Sequence, residues 1–361
     1  MKEKVKVAVL GATGSIGKNT LDVLRAHPER FEPVLLSAYA DGEALRRLQE
    51  AFPKARCVAA SREDLPGAIR SCGAALAVNG IAGAAGLVPS LTVLETGADL
   101  ALANKETVVM AWPLVKVAAE KTGAKIIPVD SEHSAVFSLI NAHGGGNAGT
   151  IAEVILTCSG GPFRNLAPDE LARVHAQDAL DHPTWTMGPK ITIDSATLAN
   201  KGLEVIEAAR LFAMPPDAIK VVIHPQSIVH SMVRLRDGAV YAQLSRPDMR
   251  LPIHNALFYP EITPCAFAAL DFTDLTLTFS PPDTARFPML RLAYDALKAG
   301  GLYPVAYNAA NETAVAQFLK DEIGFPDIPR LVETTLQKDW SGPPDTLDTI
   351  IAADQRARSF R

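Results

Sequence analysis

Two carboxylates, a hydroxyl and an imidazole follow one another directly after a short apolar run. Residues 126–129 read Ile-Ile-Pro-Val, which is typical of a buried strand, and Asp130, Ser131, Glu132 and His133 come next, ahead of a helix-like segment. Such a cluster is either a solvated turn or a cation site. Carboxylate oxygens are ligands that select Mg²⁺ or Mn²⁺ over Zn²⁺. His133 would either orient one of these carboxylates or pack at the helix start.

A second polar group opens a helical pattern further along the chain. Asn200 and Glu204 share one helix face at i, i+4 spacing, and Lys201 lies within the same turn. Glu204 alone would be a solvated helix acid, but with Asp130 and Glu132 it could complete a three-carboxylate site for a hard cation. Several side chains that precede Glu204 in the sequence carry hydroxyl groups or other hydrogen-bond donors and could bind a phosphate. They are Ser159, His182, Ser195, Asn200 and Lys201.

A loop marked by proline and glycine precedes that group. Residues 182–188 read HPTWTMG, with an exposed-looking Trp185, and predict a mobile lid near residues 181–190. The next stretch, ITIDSAT (191–197), carries Asp194 and Ser195 and has the pattern of a strand or a strand end.

A glycine-rich turn lies near the beginning of the chain. A β-rich run over residues 5–10 leads into Gly11, Gly14 and Gly17, and a helical pattern follows over residues 15–26. Glycines allow a tight turn and close backbone approach, and a helix N-terminus offers free N–H groups to a pyrophosphate. The strand before and the helix after this turn favour a dinucleotide site over a turn without a ligand.

Asn104, Lys105 and Glu106 follow another strand-like run, residues 100–103. Ligands of open α/β sheets bind where strands end, so these residues are candidates for the same site. A simple surface cap on the next helix is the alternative.

Composition limits the classes of protein. The chain has 361 residues, is 48% hydrophobic and 21% charged, and has a net charge of -5, which gives no electrostatic case for nucleic acid or an anionic membrane. Its four cysteines are scattered without a CxxC, which fits a reducing compartment. No signal peptide or transmembrane run is present, so we expect a complete cytoplasmic protein.

Taken together, several segments resemble the family of 1-deoxy-D-xylulose 5-phosphate reductoisomerases. In chain order they are GATGSIG, ANKE, PVDSEHSA, SGGPF, HPTWTMGPKITIDSATLANKGLE, IHPQSIVHSMV and NAANETAVAQFL. The resemblance implies an enzyme that rearranges and reduces 1-deoxy-D-xylulose 5-phosphate to 2-C-methyl-D-erythritol 4-phosphate in non-mevalonate isoprenoid synthesis. It implies NADPH and Mg²⁺ or Mn²⁺ as cofactors.

The resemblance also implies a role for individual residues. The metal ligands would be Asp130, Glu132 and Glu204. The substrate would be contacted by the catalytic residues Lys105 and Glu132, by Ser131 and Glu204, and at its phosphate end by Ser159, His182, Ser195, Asn200 and Lys201, with Trp185 covering it. The dinucleotide would be contacted by Thr13, Gly14, Ser15, Ile16, Asn104, Glu106 and Gly188.

One segment departs from the family. Tyr39-Ala40-Asp41 stands where the family commonly has a basic stretch for the 2′-phosphate. Asp41 would repel that phosphate unless Arg46 or Arg47 offsets it. These residues alone leave the choice between NAD and NADP open.

The predicted architecture is α/β. We expect an N-terminal doubly wound Rossmann-type dinucleotide-binding domain over residues 1–129 and a central α/β catalytic and dimerisation domain over 130–258. A linker over 259–287 and a small C-terminal helical domain over 288–361 would follow. A DG turn at Asp237-Gly238 predicts a hairpin, in a sheet that family members use to form homodimers.

Two other functions compete with this hypothesis. A semialdehyde-type dehydrogenase shares the glycine-rich start but needs an activated cysteine, and Cys158 has no obvious base beside it. A dinucleotide-sensing protein without activity would have broken metal or phosphate positions, whereas every matched position is intact.

Overall fold

The structure is a computed structural model that describes residues 3–40, 42–145, 148–180, 185, 188–267 and 269–360. The chain divides into two compact units. Unit 1 consists of Met1–Thr107, Trp112–Ser134 and Asp248–Ala268. Unit 2 consists of Val108–Ala111, Ala135–Pro247 and Ala269–Arg361.

Strands and helices alternate in the first third of the chain, and helices dominate its end. The strands are β1 (Val5–Leu10), β2 (Phe31–Ala38), β3 (Arg56–Ala59), β4 (Leu76–Asn79), β5 (Asp99–Leu102), β6 (Ile126–Pro128), β7 (Ile151–Cys158), β8 (Ile219–Ile223), β9 (Val229–Leu235) and β10 (Val240–Leu244). The helices are α1 (Ser15–Ala26), α2 (Glu43–Ala51), α3 (Leu65–Ser71), α4 (Leu87–Glu95), α5 (Lys105–Thr122), α6 (Ser131–His143), α7 (Pro168–Leu171), α8 (Ala176–Leu180), α9 (Pro189–Thr197), α10 (Ala199–Leu211), α11 (Arg250–Phe258), α12 (Met289–Ala299), α13 (Tyr303–Phe318), α14 (Asp327–Leu336) and α15 (Leu347–Arg358).

Unit 1 is built on a parallel sheet of six strands in the order β3-β2-β1-β4-β5-β6. All of its pairings are parallel, and the strand order reverses between β1 and β4, as in doubly wound folds. The central strands are apolar on both faces because helices cover both; Val7, Val9 and Leu10 in β1 are fully buried. The predicted Rossmann-type domain is confirmed.

Unit 2 contains a mixed sheet in the order β10-β9-β7-β8. β7 pairs in parallel with β8 and antiparallel with β9, and β9 and β10 form an antiparallel hairpin. The predicted DG turn closes that hairpin: Gly238 has φ of 92°, and the Leu235 amide donates to the Ala239 carbonyl at 2.8 Å. Helices α12 to α15 form the C-terminal end of unit 2, as the helical periodicity predicts.

The prediction of a strand over residues 191–197 is wrong, because the segment forms helix α9. Pro189 lies in the first turn of this helix, where its fixed φ and missing N–H are tolerated. The buried positions Thr192, Ile193, Ala196 and Thr197 repeat at helical spacing. Burial of that face has outweighed the local strand preference of the β-branched residues.

Among the described residues, no helix combines the length and apolar character that crossing a bilayer requires.

A buried histidine in unit 1 predicts a pH dependence of stability. His254 in α11 is 1% exposed, and its ring lies 5.3 Å from the ring of His27 and 4.4 Å from that of Phe258. Its Nε2 lies 2.9 Å from Thr263 Oγ1. Burial lowers the pKa of His254, and the neighbouring His27 lowers it further, while the contact with Thr263 opposes the shift.

We therefore expect the protein to lose stability as the pH falls below the ordinary histidine pKa of about 6.5, because the unfolded chain then binds a proton that the native state resists. Above that pH the contribution of His254 is fully present. The urea midpoint of a His254→Phe variant should change less between pH 7 and pH 5 than that of the wild type. His175→Phe, at an exposed histidine, is the control and should leave the pH dependence unchanged. Equal pH dependence in wild type and His254→Phe would contradict this origin.

Candidate active site

The glycine-rich turn after β1 brings backbone close to backbone. Gly11 has φ of 80°, in the left-handed region that favours glycine. A Cβ added to Gly17 would lie 2.3 Å from the Gly11 carbonyl oxygen, so only glycine allows α1 to pack on this turn. Helix α1 begins at Ser15, and no side chain of the described residues caps it at Gly14. Its first-turn amides are therefore available to an anion such as a pyrophosphate.

The other predicted dinucleotide contacts of this turn lie on the same corner. Thr13 and Ile16 are half-buried, whereas Gly14 and Ser15 are exposed. Ile16 packs against the backbone at Gly80, just beyond β4, where a Cβ would lie 2.8 Å from the Ile16 Cβ. The four predicted contacts thus lie together at the carboxyl end of strand β1.

Asn104 caps the next helix, which is the alternative considered for this segment, and it also binds the loop after β4, which sequence analysis did not predict. Its Oδ1 accepts a hydrogen bond from the Thr107 amide at 3.2 Å, which caps α5. Its Nδ2 donates to the carbonyls of Ile81 at 2.8 Å and Gly83 at 2.9 Å. The same nitrogen donates to Glu106 Oε2 at 2.9 Å. The preference for asparagine directly before a helix was the available signal.

Lys105 and Asp130 form a buried ion pair in unit 1. Lys105 begins α5 shortly after β5, and Asp130 lies shortly after β6, the neighbouring parallel strand. The ends of the two strands therefore bring the residues together. Lys105 Nζ donates to Asp130 Oδ2 at 2.6 Å, and the two side chains are 6% and 12% exposed. Because both charged groups are largely withdrawn from water, the attraction between the ammonium and the carboxylate is stronger than it would be at the surface.

The residues after Asp130 organise its carboxylate. The Glu132 amide donates to Asp130 Oδ1 at 3.2 Å, and His133 Nδ1 lies 3.2 Å from the same oxygen. His133 is fully buried, so of the two roles considered, the contact favours orientation of the carboxylate. Ser131 Oγ donates to Glu132 Oε2 at 2.6 Å. Lys105, Asp130, Ser131 and Glu132 are thus brought together.

In unit 2, the end of β7 lies against helix α9. Ser159 follows β7 and is 6% exposed, and its Oγ accepts a hydrogen bond from the Gly161 amide at 3.2 Å. Gly161 has φ of 72°, and a Cβ added there would lie 2.7 Å from the Ser195 carbonyl oxygen. This close approach brings the Ser159 turn next to the backbone that carries Ser195.

The junction of α9 and α10 collects the remaining polar residues. Leu198 between the helices has φ of 63°, and Thr197 Oγ1 accepts a hydrogen bond from the Ala199 amide at 3.2 Å. Ser195 lies in the last turn of α9, and Asn200 lies in the first turn of α10; both are half-buried. Ser195 and Asn200 therefore flank the junction between the two helices.

Glu204 is fully buried and held by two donors from the preceding turn. Lys201 Nζ and Asn200 Nδ2 each donate to one of its carboxylate oxygens. Lys201 is 2% exposed, so a buried ammonium neutralises a buried carboxylate. A solvated helix acid, the alternative considered for Glu204, is excluded.

Most of the predicted lid lies outside the described residues, including His182. Trp185 is described and half-buried, with its ring 6.2 Å from the ring of His230. Gly188 caps α9, and Pro189 and Lys190 belong to that helix.

Sequence analysis also missed Asn311 in α13. Its amide lies in the core of unit 2 and bonds Asp194, the neighbour of Ser195 in α9. The available signal was the pair Asn308 and Asn311, which are spaced by three residues among the alanines and valines of one helix.

Family models match this chain over most of its length. A model described as 1-deoxy-D-xylulose 5-phosphate reductoisomerase matches residues 7–70 and 42–112. A model of the C-terminal domain of that enzyme matches residues 126–212, and a model of the DXP reductoisomerase C-terminal domain matches residues 244–360.

Individual relatives match nearly end to end. The 1-deoxy-D-xylulose 5-phosphate reductoisomerase of Treponema pallidum is 50% identical, with 98% of this chain and 95% of the relative covered. The solved structure of the Zymomonas mobilis enzyme in complex with NADPH is 39% identical with a TM-score of 0.88, and covers 99% of this chain and 97% of that one. A further structure of the enzyme, with NADPH, fosmidomycin and magnesium, is 36% identical with a TM-score of 0.91, and covers 98% of this chain and 96% of that one.

Proposed function

The chain belongs to the family of 1-deoxy-D-xylulose 5-phosphate reductoisomerases, and from this premise we propose how its residues carry out the reaction. The enzyme rearranges and reduces 1-deoxy-D-xylulose 5-phosphate to 2-C-methyl-D-erythritol 4-phosphate, with NADPH and a divalent cation, in isoprenoid biosynthesis. The single observation that carries the assignment of residues is the buried pair of Lys105 and Asp130 at the ends of neighbouring strands.

We assign the divalent cation to Asp130, Glu132 and Glu204. All three offer carboxylate oxygens, which suit Mg²⁺ or Mn²⁺. The surroundings fit this use: Asp130 is oriented by His133, and the carboxylate of fully buried Glu204 accepts a hydrogen bond from Lys201. When bound, the cation supplies a Lewis acid for the adjacent hydroxyl and carbonyl oxygens of the substrate.

Lys105 and Glu132 are the proposed catalytic residues. The Lys105 ammonium is held by Asp130 and is largely withdrawn from water, so it can stabilise negative charge that develops on a substrate oxygen or pass a proton to it. Ser131 donates to Glu132, which fixes the orientation of that carboxylate.

The phosphate end of the substrate is assigned to unit 2. Ser159, Ser195, Asn200 and Lys201 provide hydroxyl, amide and ammonium donors around the junction of α9 and α10. Such donors form phosphate sites. His182 belongs to the same proposal from the family resemblance, and Trp185 would cover the bound substrate and exclude water.

NADPH is assigned to the glycine-rich turn, where it would supply the hydride. The first-turn amides of α1 suit its pyrophosphate, and Gly17 permits the close approach that this geometry needs. Thr13, Gly14, Ser15 and Ile16 would contact it there, with Asn104, Glu106 and Gly188 as further contacts. Asp41, on which the choice between NADPH and NADH depends, lies outside the described residues.

The alternative of a cysteine-dependent dehydrogenase receives no support. Cys158 Sγ donates to the Val222 carbonyl at 3.7 Å, so the thiol is engaged with a backbone acceptor, which is too weak a base to generate the thiolate that this chemistry needs.

The direct test is an assay with the purified protein. NADPH absorbance is followed in the presence of 1-deoxy-D-xylulose 5-phosphate and Mn²⁺, with NADH and EDTA as separate controls, and the product is identified. Oxidation that depends on metal, with 2-C-methyl-D-erythritol 4-phosphate as the product, supports the assignment. Folded protein that oxidises neither nucleotide would overturn it.

A homodimer that forms through the sheet of unit 2 is part of the proposal. In the described ranges, strand β10 pairs only with β9, and it exposes Val240 at 44% and Tyr241 at 39%. An open edge strand with apolar side chains is suited to pairing with a second copy.

We expect the double variant Val240→Glu/Tyr241→Glu to sediment as a monomer where the wild type sediments as a dimer, because paired edges would bring like charges together. Val117→Glu, at a 62% exposed valine in α5, is the matched control and should remain dimeric. A wild type that is monomeric at micromolar concentration would refute the dimer, and a double variant that stays dimeric would exclude this edge.

We further propose a cellular location and domain boundaries for the protein. We assign the protein to the cytoplasm because its four cysteines are free thiols, which suits a reducing compartment. Residues 130–258 would carry the catalytic and dimerisation groups, and residues 259–287 would link them to a C-terminal domain; limited proteolysis would test those boundaries.

A further inference from the structure

Helix α9 carries a buried carboxylate beside the serine assigned to the phosphate. Asp194 is 1% exposed, whereas its neighbour Ser195 is half-buried. Within the described part of the chain, the Asp194 carboxylate contacts Lys190 Nζ, one turn earlier in α9, at 2.8 Å, and Asn311 Nδ2, in α13, at 2.8 Å. The direction in which α9 presents Ser195 is therefore tied to a residue 117 positions later in the chain.

The side-chain amide of Asn311 donates its hydrogen bond to Asp194. Asn311 is fully buried, and among the described residues its Oδ1 has no donor. A buried amide with an unsatisfied oxygen costs stability that a leucine would not cost. The hydrogen bond from the Asn311 amide to the Asp194 carboxylate explains why a polar side chain occupies this buried position.

A second polar network lies on the same helix. Asn308 Nδ2 donates to Glu312 Oε1 at 3.0 Å, and Glu312 Oε2 accepts from Arg358 Nη2 at 2.6 Å. This network joins α13 to α15. Asn308 and Asn311 are thus two buried asparagines in one helix with different partners, which makes Asn308 a matched control.

We propose that Asn311 is a positioning residue for the phosphate end of the substrate, and that it acts through Asp194 on Ser195. The bond fixes the rotation of α9 about its axis. The Gly161 backbone lies so close to the Ser195 carbonyl that a small rotation of α9 would disturb the turn that carries Ser159 as well. The inference rests on the role proposed above for Ser195.

The test compares the Michaelis constants of four variants. In Asn311→Asp two carboxylates face each other, and we expect the KM for 1-deoxy-D-xylulose 5-phosphate to rise by at least ~10-fold, as for the loss of a hydrogen bond to a charged group. The kcat should change by less than ~3-fold and the KM for NADPH should be unchanged, since only substrate positioning is affected. In the exchange variant Asn311→Asp/Asp194→Asn the amide and the carboxylate trade places, and the substrate KM should return to within ~3-fold of the wild type.

The control variant Asn308→Asp shows what a merely structural change does. Its new carboxylate faces Glu312, so it should lower the melting temperature but leave the substrate KM unchanged. Asn311→Asp with an unchanged KM, or an exchange variant that folds without recovery of KM, would overturn the proposal. If Asn311→Asp does not fold, Asn311→Ala replaces it, and a folded Asn311→Ala with wild-type KM is equally decisive.

Ser195→Ala separates this inference from the proposed function. An unchanged substrate KM in Ser195→Ala would refute the phosphate role of Ser195 itself. A raised KM in Ser195→Ala together with wild-type KM in Asn311→Asp would leave the proposed function intact and refute the positioning role.

Discussion

Replacement of Glu204 by glutamine is expected to reduce turnover by about 1,000-fold while NADPH binding remains, because a neutral amide is a poor ligand for the divalent cation that provides several kcal/mol of charge stabilisation. Glu204 is fully buried and in contact with Lys201 and Asn200, so its position is well defined. The measurements are steady-state NADPH oxidation over a range of Mn²⁺ concentrations and NADPH binding by fluorescence.

The same substitution leaves the buried Lys201 ammonium without the Glu204 charge, so some loss of stability is expected as well. Glu204→Asp keeps the charge and shifts the oxygens, and it should fold like the wild type and still lose most activity. Glu333→Gln in α14, where the glutamate pairs with Arg291 on the surface, is the control and should keep full activity. If Glu204→Asp is as active as the wild type, the ligand role is refuted; if Glu204→Gln loses NADPH binding too, Glu204 is structural.

The second large effect concerns Lys105. We expect Lys105→Met to lower kcat by about 1,000-fold, as the removal of a preorganised cation from a water-poor site does. Affinity for Mn²⁺ should stay equal or increase, because the ammonium that competes for Asp130 Oδ2 at 2.6 Å has been removed. The two quantities, kcat at saturating Mn²⁺ and the Mn²⁺ concentration at half-maximal rate, are read from one titration.

The control for this prediction is on the same helix. Lys116 in α5 is exposed and lies 3.8 Å from Glu120, so Lys116→Met removes an equal charge without touching the site. Its kcat should equal that of the wild type. A Lys105→Met variant within ~10-fold of wild-type kcat would mean that Lys105 only balances the charge of Asp130, since a catalytic proton donor contributes more.

Local signals were enough to place much of the fold and the types of chemistry. Glycines at positions 11, 14 and 17 between a strand and a helix predict the dinucleotide turn because the geometry needs residues without a Cβ, and the structure has Gly17 against the Gly11 carbonyl. The hairpin turn at Asp237-Gly238 likewise needs a residue without a Cβ, so the Asp-Gly pair predicts it. Such features involve neighbours in sequence, whose conformational preferences are carried by the residues themselves.

Contacts between distant residues could not be predicted in this way. The segment 191–197 has the composition of a strand and forms a helix because one of its faces is buried in unit 2. Three contacts join parts of the chain that are far apart in sequence, so no local pattern predicts them. They are the hydrogen bonds from Asn311 to Asp194, from Lys105 to Asp130 and from Asn104 to the Ile81 carbonyl. The packing of whole helices and strands decides which polar residues pair. An unpaired polar group is costly only when it is buried, and burial exists only once the core has formed.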